Sequence, residues 1–127
     1  MKEVMAVIRM DMVNKTKEAL LLEGLSSMNC RKVLGRGKKK VDFSFIEGII
    51  SGSEITSPVI AENLSEGHRL IPKRLISLVV QDSEVKKAVE TLISVNSKGK
   101  PGDGKIFVMP VTDAVRVRTG ESGELAI

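Results

Sequence analysis

Three short segments combine glycine with lysine or arginine, and their residue types could bind an anion. They are Gly35-Arg36-Gly37-Lys38-Lys39-Lys40, Lys98-Gly99-Lys100-Pro101-Gly102-Asp103-Gly104-Lys105 and Arg116-Val117-Arg118-Thr119-Gly120-Glu121. Glycine lets the backbone turn its N–H groups toward a ligand, and the cations supply positive charge. Taken alone, each segment is explained at least as well by a plain turn or by solvated surface charge, and the first lacks the spacing of a Walker A loop.

The third segment adds a geometric prediction. Residues 114–118 alternate apolar and basic side chains, which predicts a strand with Arg116 and Arg118 on one face, about 7 Å apart. Two parallel guanidinium forks suit a polyphosphate, and exposed arginines on an edge strand are the alternative.

The net charge of +4 has a local origin. Six of the 20 basic residues lie between positions 31 and 40, which contain no acidic residue, and the chain has 16 acidic residues in all. The rest of the chain is therefore slightly acidic, which favours a focused anion site over a broad surface for a polyanion.

Composition excludes several classes of protein. The 127 residues fit one domain, 1–127, and a single cysteine with a single histidine makes neither an internal disulfide nor a four-ligand zinc site. No apolar run approaches the ~20 residues that cross a bilayer, and the first residues lack a signal sequence, so we expect a cytoplasmic protein without membrane insertion. No cluster of carboxylates accompanies Asp103, so we expect no catalytic residues and no protein-held metal.

Apolar runs and helical periodicity predict the strands and helices that carry these segments. Strands are predicted over 3–9, 28–34, 74–80 and 106–109, with the short extra strand at 114–118. One helix is predicted to begin at an N-cap, Asp11 or Asn14, and to run through Leu22. A second follows a cap at Asp82 or Ser83. Its predicted apolar face consists of Val85, Ala88, Val89, Leu92 and Ile93.

This order is a doubled strand–helix–strand unit. It predicts an α+β, ferredoxin-like fold, with an antiparallel four-stranded sheet that carries both helices on one face. The other face of the sheet has no covering layer within the chain, so we expect self-association.

Residues 41–72 form a long insertion without sustained periodicity. A loop of this length is usually functional or disordered, and a tolerated flexible insertion is the alternative. Its apolar content favours a partner-binding role. The residues that we expect to contact the partner are Phe43, Phe45, Ile46, Ile49 and Ile50.

Together the three segments resemble the PII signal-transduction family. Val33-Leu34-Gly35-Arg36-Gly37 is similar to the turn at the root of its T-loop, Gly102-Asp103-Gly104-Lys105-Ile106-Phe107-Val108 to its B-loop, and Arg116–Glu121 to its C-terminal signature. The resemblance implies a trimer of ferredoxin-like subunits. It also implies an ATP or ADP site in each cleft between subunits, sensing of 2-oxoglutarate, and docking on a target through the T-loop, here residues 41–72.

The resemblance also implies roles for individual residues. Those expected to bind the nucleotide are Gly35, Gly37 and Lys38 at the T-loop root, Gly102, Asp103, Gly104 and Lys105 in the B-loop, and Arg116 and Arg118 from the neighbouring subunit. Lys73 matches the family's lysine near 2-oxoglutarate, and Lys39 or Lys40 could pair with the effector's carboxylate. Lys39 replaces a glutamine that helps to hold Mg²⁺ in the family, so the use of Mg²⁺ is uncertain. The chain contains no tyrosine, which excludes tyrosine uridylylation.

The long loop resembles that of the second of the paired PII-like proteins encoded beside nitrogenase genes in methanogens and some anaerobes. That resemblance implies a switch that inhibits dinitrogenase, as a homotrimer or mixed with a PII-like paralogue. The alternatives are another target in nitrogen metabolism, such as an ammonium transporter or glutamine synthetase, and an RNA-binding ferredoxin-like module. RNA binding is disfavoured because the chain has no Trp or Tyr and only three Phe residues, so we expect no nucleic-acid partner.

Overall fold

The computed structural model describes residues 1–37 and 70–127. The elements are β1 (Lys2–Ile8), α1 (Val13–Leu22), β2 (Asn29–Gly35), β3 (Ile71–Val80), α2 (Val85–Asn96) and β4 (Lys105–Pro110). The strands form one sheet in the order β2-β3-β1-β4, and every neighbouring pair is antiparallel. The predicted ferredoxin-like α+β fold is confirmed.

The core lies between the sheet and the two helices. Alternate residues of β1, namely Val4, Ala6 and Ile8, are buried on the face that packs against the helices. Leu20 of α1 and Leu92 of α2 complete this core and are almost fully inaccessible. Because the side chains of a strand alternate between faces, the intervening residues of β1 lie on the opposite face. We call it the open face because neither α1 nor α2 packs against it in the described part of the chain.

The buried face of α2 differs from the predicted one at its C-terminal end. Ile93 is 51% exposed, whereas Asn96 is buried. Asn96 lies four residues after Leu92 and therefore follows it along the same face, whereas Ile93 is rotated by about 100° from it. The amide Nδ2 of Asn96 donates to Thr16 Oγ1 of α1 at 3.1 Å and to the Leu92 carbonyl at 3.0 Å.

Both helices begin without the predicted side-chain caps. Each follows a short 3₁₀ turn, Met10–Met12 before α1 and Asp82–Glu84 before α2, and no side chain caps either helix. The predicted N-caps Asp11, Asn14, Asp82 and Ser83 are therefore wrong. The 3₁₀ turns provide the local hydrogen bonds at these entries, from Met12 N to the Arg9 carbonyl and from Glu84 N to the Gln81 carbonyl.

Two predicted segments also differ from the structure. β3 begins at Ile71, so Ile71 and Pro72, which were expected to end the long loop, belong to the sheet. No strand forms over 114–118, where only Val115 makes an isolated bridge, to Ser122, and residues 117–119 form a turn. Arg116 and Arg118 therefore do not share a strand face. The chain reverses here because Gly120, with φ of 72°, adopts a left-handed conformation that favours glycine.

None of the helices within residues 1–37 and 70–127 has the length and apolar character needed to cross a membrane.

Candidate functional site

Several of the predicted site residues meet at one end of the sheet. β1 and β2 end there, and β3 and β4 begin there. The register pairs Gly35 with Ile71, and Val7 with both Leu75 and Lys105. The sheet therefore brings the root of the long loop, the start of β3 and the B-loop to the same edge.

The B-loop, defined from here on as residues Lys98–Lys105, is closed by one carboxylate. Oδ2 of Asp103 accepts hydrogen bonds from the backbone N–H groups of Lys98 at 2.8 Å and Lys100 at 3.3 Å. Oδ1 accepts a hydrogen bond from Nη1 of Arg9 at 2.5 Å. The Arg9 guanidinium and, to a smaller extent, the two backbone donors lower the pKa of Asp103 to about 2. Asp103 therefore shapes the loop, and it carries a negative charge at neutral pH.

Two glycines of the B-loop are required by the backbone itself. Gly102 has φ of 100° and Gly104 has φ of 119°, values that other residues rarely adopt. A β-carbon on residue 104 would also lie 2.0 Å from the carbonyl oxygen of Val7. The loop thus crosses the end of β1 at a distance that only glycine permits.

Lys73 contacts the B-loop from the start of β3. Its Nζ donates to the Gly102 carbonyl at 2.8 Å. Burial lowers the pKa of Lys73 from its ordinary value, and the nearby charge of Arg9 lowers it further. The predicted effector lysine and the predicted B-loop are thus in direct contact.

The other predicted residues of this edge make fewer contacts with the described chain. Lys105 begins β4 and is exposed. A β-carbon on Gly35 or Gly37 would meet no atom within 4 Å, so packing in the described chain does not explain why glycine occurs at these two positions. The predicted residues Lys38, Lys39, Lys40, Phe43, Phe45, Ile46, Ile49 and Ile50 lie outside the described residues.

The two C-terminal arginines lie in the segment that leaves the sheet at its opposite end. β4 runs away from the B-loop and ends at Pro110, which pairs with Lys2. Arg116 is held within its own segment, since Nη1 contacts Glu121 Oε1 at 3.3 Å and Nη2 donates to the Leu125 carbonyl at 2.8 Å. Arg118 is exposed. One subunit therefore does not bring these arginines to the B-loop through its sheet.

The arrangement is suited to anion binding. Lys73, Lys105 and Arg9 surround a glycine-rich backbone at one edge, and such loops can direct N–H groups toward an anion. Within residues 1–37 and 70–127, no cluster of three side chains is suited to hold a metal ion.

Comparison with known proteins identifies the family. The family model described as nitrogen regulatory protein P-II matches residues 1–121. The chain belongs to the P-II family. The description is that of a regulatory protein, which confirms the prediction of a regulator that is not an enzyme.

The relatives of this P-II chain include proteins from methanogens. It is 48% identical to nitrogen fixation nifHD region GlnB-like protein 2 of Methanobacterium ivanovii, over 100% of this chain and 99% of the relative. It is 46% identical to the protein of the same name in Methanothermococcus thermolithotrophicus, over 100% of this chain and 98% of that relative. These names confirm the resemblance to the PII-like proteins of the nitrogen fixation region.

A solved structure supports the P-II fold. The chain resembles Arabidopsis thaliana PII bound to citrate, with a TM-score of 0.69 and 29% identity over 98% of this chain and 87% of that chain.

Arg9 is a residue at the B-loop edge of the sheet that the sequence did not indicate as part of the site. A lone arginine directly after an apolar strand was the signal, but its partner Asp103 is 94 residues away in the chain.

Proposed function

We propose that this P-II protein is a non-catalytic sensor of nitrogen and energy status that regulates nitrogenase. It binds ATP or ADP together with 2-oxoglutarate, and it contacts its target through the T-loop, residues 41–70. The observation that carries the proposal is that one subunit holds two sets of cationic residues far apart, at opposite ends of its sheet. The B-loop and Lys73 lie at one end of the sheet, whereas Arg116 and Arg118 follow from the other end.

The nucleotide site is completed by a neighbouring subunit. The B-loop residues Gly102, Asp103, Gly104 and Lys105, with Gly35, Gly37 and Lys38, frame the phosphates from one subunit. Arg116 and Arg118 approach from the next subunit, where their guanidinium groups form charge-assisted hydrogen bonds to phosphate oxygens. The space around Gly35 and Gly37 supports this role, because no packing contact in the described chain accounts for either glycine.

The open face of the sheet supports a trimer. Val7, Leu75 and Phe107 lie on the face opposite the helices, since the register pairs Val7 with Leu75 and Met5 with Phe107. Phe107 is 44% exposed in a single subunit. Burial of apolar surface stabilises association by about 25 cal/mol per Å², and closed symmetry limits the assembly. The assembly is a homotrimer or a mixed trimer with a PII-like paralogue.

2-Oxoglutarate binds beside the nucleotide. Lys73 pairs with one carboxylate of the effector, and Lys39 or Lys40 contributes a second cation. The position of Lys73 against the B-loop supports this assignment, because one cation then contacts both the effector and the nucleotide loop. The proposal does not include Mg²⁺, because the ammonium group of Lys39 is no metal ligand while it is charged.

Nitrogenase is the proposed target. The relatives are named for the nitrogen fixation region, and this supports dinitrogenase as the partner. The apolar residues Phe43, Phe45, Ile46, Ile49 and Ile50 form the partner-binding part of the loop. An ammonium transporter and glutamine synthetase remain the alternative targets.

Calorimetry and light scattering test the sensor. ATP and ADP should bind without turnover to a particle with the mass of a trimer. Arg118→Ala should weaken nucleotide binding about tenfold to a hundredfold, because a hydrogen bond to a charged group contributes about 1.5–3 kcal/mol. A monomer at micromolar concentration, or unchanged affinity in the variant, would contradict the proposal.

A nitrogenase assay tests the target. A variant with residues 41–69 shortened should trimerise and bind ATP but should fail to inhibit nitrogenase, with any paralogue present. Inhibition by the intact protein should weaken as 2-oxoglutarate is titrated in the presence of ATP, because the effector favours a loop conformation that does not bind the partner. Full inhibition by the shortened variant would show that another surface binds nitrogenase.

A further inference from the structure

Arg9 connects the end of β1 to the B-loop. Its carbonyl accepts a hydrogen bond from Met12 N at 3.1 Å, which fixes its backbone at the start of the 3₁₀ turn. Its side chain is 24% exposed and extends to Asp103, where Nη1 donates to Oδ1. Arg9 is therefore held at both ends, its backbone by the 3₁₀ turn and its guanidinium by the B-loop.

Asp103 transmits this contact to the backbone of the loop. One carboxylate oxygen binds Arg9, and the other accepts hydrogen bonds from the N–H groups of Lys98 and Lys100. Among the described residues, Arg9 is the side chain of the sheet edge that donates to this carboxylate. Removal of Arg9 would leave a partly buried carboxylate with its loop contacts only.

The two cations at this edge have different partners. The charge of Arg9 is matched by the carboxylate of Asp103, whereas Lys73 contacts a neutral carbonyl, that of Gly102. An anion gains more from a cation whose charge is not already matched, so Lys73 is the cation available to a ligand. Arg9 is suited to a structural task in the same site.

We infer that Arg9 is a positioning residue that holds the B-loop in its ligand-binding conformation through Asp103, without contacting the bound nucleotide. The inference deepens the proposed function and rests on it where nucleotide affinity is concerned. The claim that Arg9 orders the B-loop concerns the ligand-free protein and does not depend on nucleotide binding.

A double-mutant cycle on ATP affinity tests the route through Asp103. Arg9→Gln and Asp103→Asn should each weaken ATP binding about tenfold or more, since each removes a charge-assisted hydrogen bond that orders the loop. The double variant should bind ATP no more weakly than whichever single variant binds it less tightly, because both changes remove the same ion pair. The long contact from Arg9 Nη2 to the Pro101 carbonyl, at 3.5 Å, is lost equally in the Arg9→Gln variant and in the double variant. Additive losses would mean that Arg9 acts on the nucleotide directly and would overturn the inference, as would tighter binding by Asp103→Asn.

Hydrogen exchange in the ligand-free protein separates this inference from the proposed function. Arg9→Gln should raise the exchange rate of the Lys98 and Lys100 amides several-fold and leave the amides of β1 and β4 protected. Lys86→Gln is the matched control for loss of a positive charge, because Lys86 lies exposed on α2, in contact only with Glu90 at 3.9 Å among the salt bridges of the described residues. Unchanged exchange in Arg9→Gln would overturn the inference, whether or not the wild-type protein binds ATP. If the wild-type protein binds no ATP but Arg9→Gln still raises the exchange of these amides, the proposed nucleotide site is refuted and the inference on Arg9 stands.

Discussion

Gly104 and Val7 approach so closely that the residue type at position 104 is determined by the sheet. A β-carbon at position 104 would lie 2.0 Å from the Val7 carbonyl oxygen, and the φ of 119° at Gly104 is itself unfavourable for other residues. The B-loop therefore packs closely against the end of β1 at Gly104, and the ion pair between Arg9 and Asp103 links the two segments. Both attachments place its backbone at the edge that also holds Lys73.

Gly104→Ala should destabilise the fold strongly. The added methyl group forces β1 or the loop to move, and overpacking with backbone strain costs about 2–4 kcal/mol together. Gly99→Ala is the matched control, because Gly99 has φ of 72° but open space around it, so its cost should be about 1–2 kcal/mol. Urea unfolding of both variants at one protein concentration measures the difference, and equal free energies of unfolding would contradict the steric account.

Asp103 should contribute to stability in a pH-dependent way. Its pKa in the folded protein, about 2, is below the ordinary value of 3.8, so its stabilising effect is present above about pH 4. The effect is lost as the pH falls through 2. The difference in melting temperature between the wild type and Asp103→Asn should therefore shrink from pH 5 to pH 2. A difference that stays constant over this range would show that the ionised carboxylate does not hold the loop.

The buried pair of Thr16 and Asn96 should couple the two helices. Thr16→Val removes the acceptor for Asn96 Nδ2, and loss of a buried hydrogen bond costs about 1–2 kcal/mol. In an Asn96→Leu background the same change should cost less than about 0.5 kcal/mol, because that donor is already absent. Chemical unfolding of the four proteins gives the coupling, and equal costs in both backgrounds would rule it out.

Local pattern was sufficient for the fold. The apolar runs of β1 and β3 and the helical periodicity of α2 are properties of consecutive residues, so they predicted the elements and their order. The errors arose where a local signal competed with packing. Ile93 fits an apolar pattern but lies outside the buried face, and Asn96 is buried because Thr16 on the other helix provides an acceptor.

The candidate site was only partly predictable for a similar reason. Glycines and lysines near position 102 indicated an anion-binding loop, but the role of Asp103 as its internal acceptor depends on Arg9, which is distant in sequence. The turn at 117–119 was missed because the alternation of Val115 to Arg118 resembles a strand, while Gly120 permits a reversal instead.

Subunit complementation tests the central claim, a nucleotide site shared between neighbouring subunits. Lys105→Ala removes a B-loop cation, and Arg118→Ala removes a cation from the C-terminal segment, so a homotrimer of either variant should bind ATP weakly. Trimers that contain both variants should regain one site of wild-type affinity, formed by the intact B-loop of an Arg118→Ala subunit and the intact Arg118 of a Lys105→Ala subunit. Calorimetry on purified mixed trimers should therefore give about one tight ATP per trimer. Mixed trimers that bind ATP as weakly as the two parent variants would contradict the shared site.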